Sequence, residues 1–157
     1  MLSLYSSIVQ SHLTYCVEVW GNCCLSFLSP IIIAQKRAVR MICGLKSREH
    51  TSKYFKEVNI LKFQDMVEAK IKVLMYKAWK LHLPDSLQSL FFTKSSDKYY
   101  TRKRNNFKVK YCNSKIKSNC LSIIGVRLWN EMEDSMKNCN SLIKFKKMVK
   151  QSYLKKY

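Results

Sequence analysis

Twenty residues from Lys98 to Lys117 hold the densest chemistry in the chain: Lys98, Arg102, Lys103, Arg104, Lys108, Lys110, Lys115 and Lys117, with no acid among them. Tyr99, Tyr100, Phe107 and Tyr111 are threaded between these cations. Cations attract phosphate whatever the base sequence, and aromatic faces are surfaces on which bases stack. A purely solvated charge run has no use for four large rings. The stripe therefore predicts nucleic-acid contact, with Arg102, Lys103 and Arg104 as the main phosphate contacts and Lys108 and Lys110 beside them. Tyr99, Tyr100 and Tyr111 are the expected stacking groups. The plain alternative is a solvated linker.

A second basic set, Lys36, Arg37 and Arg40, recurs on one side of a helical pattern. It is either an ordinary wet helix face or a surface that lies along a duplex backbone. Lys144, Lys146, Lys147 and Lys150, with Lys155 and Lys156, form a third set near the end of the chain. These would equally suit a membrane surface or a nuclear-import signal, but their helix lacks the tryptophan-rich apolar side that membrane anchors favour.

Residues for catalysis are not assembled in the same way. The only aspartates are Asp65, Asp85, Asp97 and Asp134, each alone apart from the Glu131, Glu133 and Asp134 cluster, which reads as solvated or helix-start charge. His12, His50 and His82 have no acid–nucleophile pair near them. Seven cysteines are an odd count without a Cys-x-x-Cys. With no export signal at the N-terminus, they read as reduced thiols serving as small buried hydrophobes. His12, Cys16, Cys23 and Cys24 match no common zinc spacing. No catalytic residue, metal site or cofactor is expected.

Lys and Arg total 29 against 10 acids, a formal charge of +19. Residues 1–94 hold 13 basic and 6 acidic side chains, and residues 95–157 hold 16 and 4. The shorter second part is thus the more polyanion-facing, and the boundary predicts a packed domain over 1–94 and a basic extension over 95–157. A chain of 157 residues with 47% hydrophobic content can bury a core. No run approaches the roughly 18 apolar residues of a membrane span.

Three glycines and two prolines leave little for a turn-rich β fold, so the expected class is mainly α. Leu2, Tyr5, Ile8, Val9, Leu13 and Val17 recur at helical spacing, as one helix or a broken pair ended by Gly21 and Asn22. Ser29-Pro30 marks the start of a helix running to Cys43, with Gly44 as its stop. A short helix is expected over Lys53–Glu57, a long one over Phe63–Leu81 and another over Asp85–Phe92. In the long helix, Phe63, Met66, Val67, Ile71, Leu74, Ala78 and Leu81 should face the core, and Asp65, Glu68, Lys72 and Lys80 should face away. Phe107, Val109 and Tyr111 alternate with lysines as in a half-exposed strand, with Cys120–Ile124 as hairpin partner. Gly125 should precede a helical turn holding Leu128 and Trp129. A helix capped by Asn140 or Ser141 closes the chain, with Leu142, Phe145, Met148, Val149 and Ser152 or Tyr153 inward. Trp20, Trp79 and Trp129 are expected packing anchors.

The order of these landmarks resembles the C-terminal end of non-LTR retrotransposon reverse transcriptases, particularly of jockey-like elements. The residues that carry it are His12-Leu13-Thr14-Tyr15, Trp20-Gly21, Gln35-Lys36-Arg37-Ala38-Val39-Arg40, Ile60-Leu61 and Met75-Tyr76-Lys77. Tyr100-Thr101-Arg102, Gly125-Val126-Arg127-Leu128-Trp129-Asn130 and Phe145-Lys146-Lys147 follow in order. Each is weak alone; the ordered set spans nearly the whole chain. The sequence departs at Ser11, where many relatives have proline, and at Glu133, where a Leu-Pro pair is common.

The resemblance implies a helical thumb-like bundle over 1–94, then a basic segment with a small β-hairpin and a C-terminal helix. It implies partners among RNA, RNA–DNA hybrid or duplex DNA, gripped electrostatically, in the nucleus or cytoplasm and not at a membrane. The paired palm aspartates that hold two metal ions in such polymerases are absent, so the segment is expected to be non-catalytic. Two other readings stay open: a helical module that docks on the polymerase palm, or a decayed element copy without function.

Overall fold

The computed structural model describes residues 1–91 and 106–157. Among these the regular structure is helical, as the scarcity of glycine and proline implies, and no strand forms. The chain divides into two compact units, one of Met1–Ala69 with Val149–Tyr157, the other of Lys70–Met148. The boundary expected after Lys94 lies outside the described residues.

In the first unit the opening helix is broken, as its spacing allows. Residues Leu2–Leu4 are α-helical, Tyr5–Gln10 form a π-helical stretch and Ser11–Thr14 return to α. Ser11 Oγ donates to the carbonyls of Ser7 and Ile8 at 2.6 and 2.9 Å. Such bonds back to the preceding turn bend a helix rather than end it. The chain stops at Tyr15, which is extended, and Cys16, which has φ 46°. A short helix, Val17–Trp20, follows and ends at Gly21.

The next helix is Leu25–Cys43, longer than its Ser29-Pro30 signal predicts. Pro30 lies inside this helix, past its first turn, and leaves the Ser26 carbonyl without the N–H it would accept. Gly44 closes it at φ 65°, a backbone that glycine adopts without strain. Val39 packs with Tyr5, Phe55 and Ile60 in a core that also takes in Val9, Ala38, Ile42 and Val58. Gln35 is buried with them: its Nε2 donates to Tyr5 Oη at 3.1 Å and to the Leu61 carbonyl at 2.9 Å. The short helix is Ser52–Glu57, close to expectation.

The long helix is Phe63–Trp79, and its first residues, Phe63, Met66 and Val67, are core of the first unit. It stops short of Leu81, which has φ 59° and is exposed instead of completing the apolar stripe. Asp65 and Glu68 do not face away either. Both are half-buried and accept hydrogen bonds from tyrosines of the closing residues: Tyr157 Oη to Asp65, and Tyr153 Oη to Glu68 at 2.7 Å. Tyr157 Oη also accepts the Lys62 N–H at 2.8 Å, and Lys62 Nζ lies 4.3 Å from the centre of the Tyr157 ring.

The second unit is built on Ile71, Met75, Tyr76 and Ala78 of the same helix, all buried. Around them lie the helices Asp85–Phe91, Lys115–Ser118, Leu121–Asn130 and Asp134–Lys137, with the first part of Leu142–Leu154. Tyr76 stacks on Phe145 with ring centres 4.4 Å apart, and its hydroxyl donates to the Cys139 carbonyl at 2.7 Å. Gly125 lies inside Leu121–Asn130 instead of before a turn: a Cβ there would meet Met75 Sδ at 2.8 Å. Close approach of the chain, not flexibility, is the reason for glycine. The closing helix buries Phe145, Val149 and Tyr153 as its spacing predicts, and Ser141 Oγ accepts the Lys144 N–H at 3.5 Å.

Two expectations are corrected outright. The hairpin does not form: Cys120 is the residue before a helix, and Phe107 is an isolated bridge residue in otherwise irregular chain. The cysteines are not mainly core. Cys16, Cys23, Cys24 and Cys120 are exposed and only Cys139 is buried. Most of these thiols sit at turns and helix starts, where no apolar face exists to take them.

Candidate nucleic-acid interface

The C-terminal part of the basic stripe is an irregular segment fastened at one end. Phe107 is 3% exposed, and its ring packs edge-on against Trp79 and Trp129, with centres 5.3 and 5.9 Å away. Trp79 and Trp129 lie 5.7 Å apart, so three rings enclose one another. Phe107 is therefore core and not a stacking platform. Its backbone is held as firmly as its ring. The Asn130 Oδ1 accepts the Phe107 N–H at 3.0 Å, and Asn130 Nδ2 donates to the Phe107 carbonyl at 2.9 Å. A single carboxamide thus makes the pair of bonds that a neighbouring strand residue would make.

The preceding residue is tied as well. Lys137 Nζ donates to Asn106 Oδ1 at 3.0 Å and to the Asn130 carbonyl at 3.4 Å. It stands 3.5 Å from Asp134 Oδ1, and its side chain is 3% exposed. A buried ammonium needs such a set of acceptors. This cation is withdrawn from any polyanion and serves the segment's attachment. Asp134, part of the acidic cluster, is its partner; Glu133 and Asp134 stand at the start of Asp134–Lys137, as helix-start charge should.

Beyond this anchor the chain opens to solvent. Lys108 and Lys110 are exposed, and Tyr111 is 86% exposed. Lys117, in Lys115–Ser118, is exposed as well. Arg102, Lys103, Arg104, Tyr99 and Tyr100 lie outside the described residues.

The helical set divides by geometry. Lys36 and Arg37 are exposed, while Gln35 and Val39 between and beside them are buried, so the two cations do line the wet side of Leu25–Cys43. Arg40 is half-buried, and its Nε donates to the Glu49 carbonyl at 3.1 Å, which ties the following loop to the helix. The structure brings Lys108, Lys110 and Tyr111 onto one short segment; Lys36, Arg37 and Arg40 belong to the other unit.

Asn130, Lys137 and Asn106 were not singled out by residue type or spacing, although they decide how the stripe is held. The only available signal was the Trp129-Asn130 pair at the end of a helical pattern. Among the described residues, no three His, Cys, Asp or Glu side chains are placed to hold a metal ion. None of the helices is long and apolar enough to cross a membrane. No family model, curated protein or solved structure matches the chain.

Proposed function

We propose that this chain is a non-catalytic nucleic-acid grip, akin to the C-terminal region of a non-LTR retrotransposon reverse transcriptase, that holds template–primer or element RNA by its phosphates. The observation that carries the reading is the segment after Phe107: Lys108, Lys110 and Tyr111 are solvent-facing on a stretch without any acid, while its start is fastened into the core. Exposed cations beside an exposed ring are what sequence-independent binding needs. Lys36 and Arg37 offer a second set of phosphate contacts on a rigid helix.

The test is titration against an RNA–DNA hybrid and duplex DNA at several salt concentrations. If about five cations meet phosphates, log affinity falls against log salt with a slope of roughly −4 to −5. Alanine at Arg102, Lys103 and Arg104 together is expected to flatten that slope by about two to three units. Binding that ignores salt would refute the grip; a triple variant with an unchanged slope would restrict it to the other cations.

A second reading rests on a separate observation. The first unit exposes large apolar side chains, with Val19 and Phe27 each 76% and Met41 71% exposed, alongside Leu4, Ile8 and Leu25. Apolar surface of this kind marks an interaction site when it is contiguous. In the resembled family the preceding polymerase palm would be the partner. Aggregation of the chain alone, relieved by co-expression with such a palm domain, would favour docking over nucleic-acid binding.

A further inference from the structure

The segment that Asn130 fastens carries an exposed aromatic ring directly beside its lysines, whereas on Leu25–Cys43 the exposed Phe27 lies more than two turns before Lys36. Duplex bases are already stacked on their neighbours, so a protein ring finds a free base face only where a strand is unpaired. A lysine on a regular helix, such as Lys36, can meet a phosphate of either kind of strand. Tyr111, 86% exposed and next to Lys110, presents such a base with an open ring face.

Resting on the nucleic-acid reading above, we infer that Lys108, Lys110 and Tyr111 form a binding element for single-stranded nucleic acid. Tyr111 stacks on one unpaired base, Lys108 and Lys110 pair with adjacent phosphates, and Asn130 positions the element through the Phe107 backbone. The anchor matters because ordering a loose segment on binding subtracts from affinity, and a segment fixed beforehand avoids that loss. Two carboxamide bonds to one residue, at 3.0 and 2.9 Å, fix the start of the element four residues before the ring. Lys137 supports the same point through Asn106. Phe107 supplies no ring to the ligand, being enclosed by Trp79 and Trp129.

Fluorescence titration of the whole chain with an unstructured RNA oligonucleotide, and with the same strand paired to complementary DNA, tests this. Tyr111→Ala is expected to weaken single-strand binding about 10-fold, within the range for one stacked base, to weaken hybrid binding far less, and to leave both salt slopes unchanged. Tyr111 is open to solvent, so its loss leaves the fold intact. Asn130→Asp keeps the acceptor, loses the Nδ2–H donor and adds a negative charge, so its effect is read beside Asn130→Ala, which drops both bonds without adding charge. Asn130→Asp is expected to weaken single-strand binding several-fold, and to add little in a Tyr111→Ala background, since coupled residues do not add. Should Asn130→Asp unfold, Asn106→Ala loosens the same point without touching the helix. Equal losses on both ligands, or none, would overturn the single-strand assignment while leaving the grip standing. Additive losses from Asn130 and Tyr111 would overturn the anchor's part. A wild-type chain that binds neither ligand would overturn the grip and this element together.

Discussion

In the unit of Met1–Ala69 and Val149–Tyr157, the last residues are held by tyrosine hydroxyls on the Asp65 and Glu68 carboxylates. In the unit of Lys70–Met148, the end of the basic stripe is held by three aromatic rings and the neutral Asn130 carboxamide. Both kinds of tie join residues far apart in sequence, but they respond to different conditions. Hydroxyl–carboxylate bonds depend on which groups carry protons. Ring packing and amide pairing do not. The ring and amide contacts of the second kind do not titrate, and only the Lys137–Asp134 pair beside them depends on pH and salt.

The largest effect that would sharpen this contrast is removal of Trp129, which has no solvent exposure and touches both Trp79 and Phe107. Trp129→Ala is expected to cost about 3–5 kcal/mol, as the loss of an enclosed indole does. Trp20 is half-buried against Phe63, so the same change there should cost distinctly less. Urea unfolding of the two variants measures both. Equal costs would mean that the aromatic cluster is not what distinguishes the second unit.

How much of this was legible in the sequence follows from the range of each interaction. The Gly44 stop, the Ser52–Glu57 helix and the Phe145, Val149 and Tyr153 face arise from residues within a few positions of one another, and periodicity found them. The Phe107–Asn130 pairing spans 23 residues and the Asp65–Tyr157 bond spans 92, and no local pattern encodes either. Alternation at Phe107, Val109 and Tyr111 is the pattern of a half-exposed strand, and its first member is indeed buried. The second strand was replaced by one side chain, which leaves no periodic trace. Asp65 and Glu68 looked solvated because acids on a helix usually are; the tyrosines that engage them lie at the far end of the chain. Of the candidate site, the cations and Tyr111 were legible from composition, whereas the attachment of their segment was not.

Alkali gives the next test of the contrast. Burial, the first cause in each case, raises Tyr5, Tyr153 and Tyr157 above their ordinary value of 10.0 in the first unit. Hydrogen bonding to Glu68 and Asp65 raises the latter two further. In the second unit, burial raises Tyr76. A tyrosine raised in the folded state keeps its proton where the unfolded chain has lost it. Its stabilising share is therefore whole below about pH 10 and declines as pH rises above that. Methyl NMR of Val39 and Ile60 should accordingly report loss of the first unit at lower pH than Ile123 and Val126 report for the second. Simultaneous loss would break the comparison.

Tyr153→Phe separates the hydrogen bond from the burial that accompanies it. The ring stays, the bond to Glu68 goes, and a bond between a hydroxyl and a charged acceptor contributes about 1.5 kcal/mol or somewhat more. Glu68 is half-buried, so water can replace part of what the hydroxyl gave and the cost should fall at the low end of that range. The same variant removes one of the three raised tyrosines from the first unit, so its stability should decline less steeply above pH 10 than that of the parent chain. At sufficiently high pH the variant would then become the more stable of the two, because the parent must hold a proton on Tyr153 that the solvent is taking. Urea midpoints measured across that pH range decide it. A constant difference between the two proteins would show that Tyr153 contributes its packing and its bond but no proton linkage, and that the first unit's alkaline sensitivity resides in Tyr5 and Tyr157.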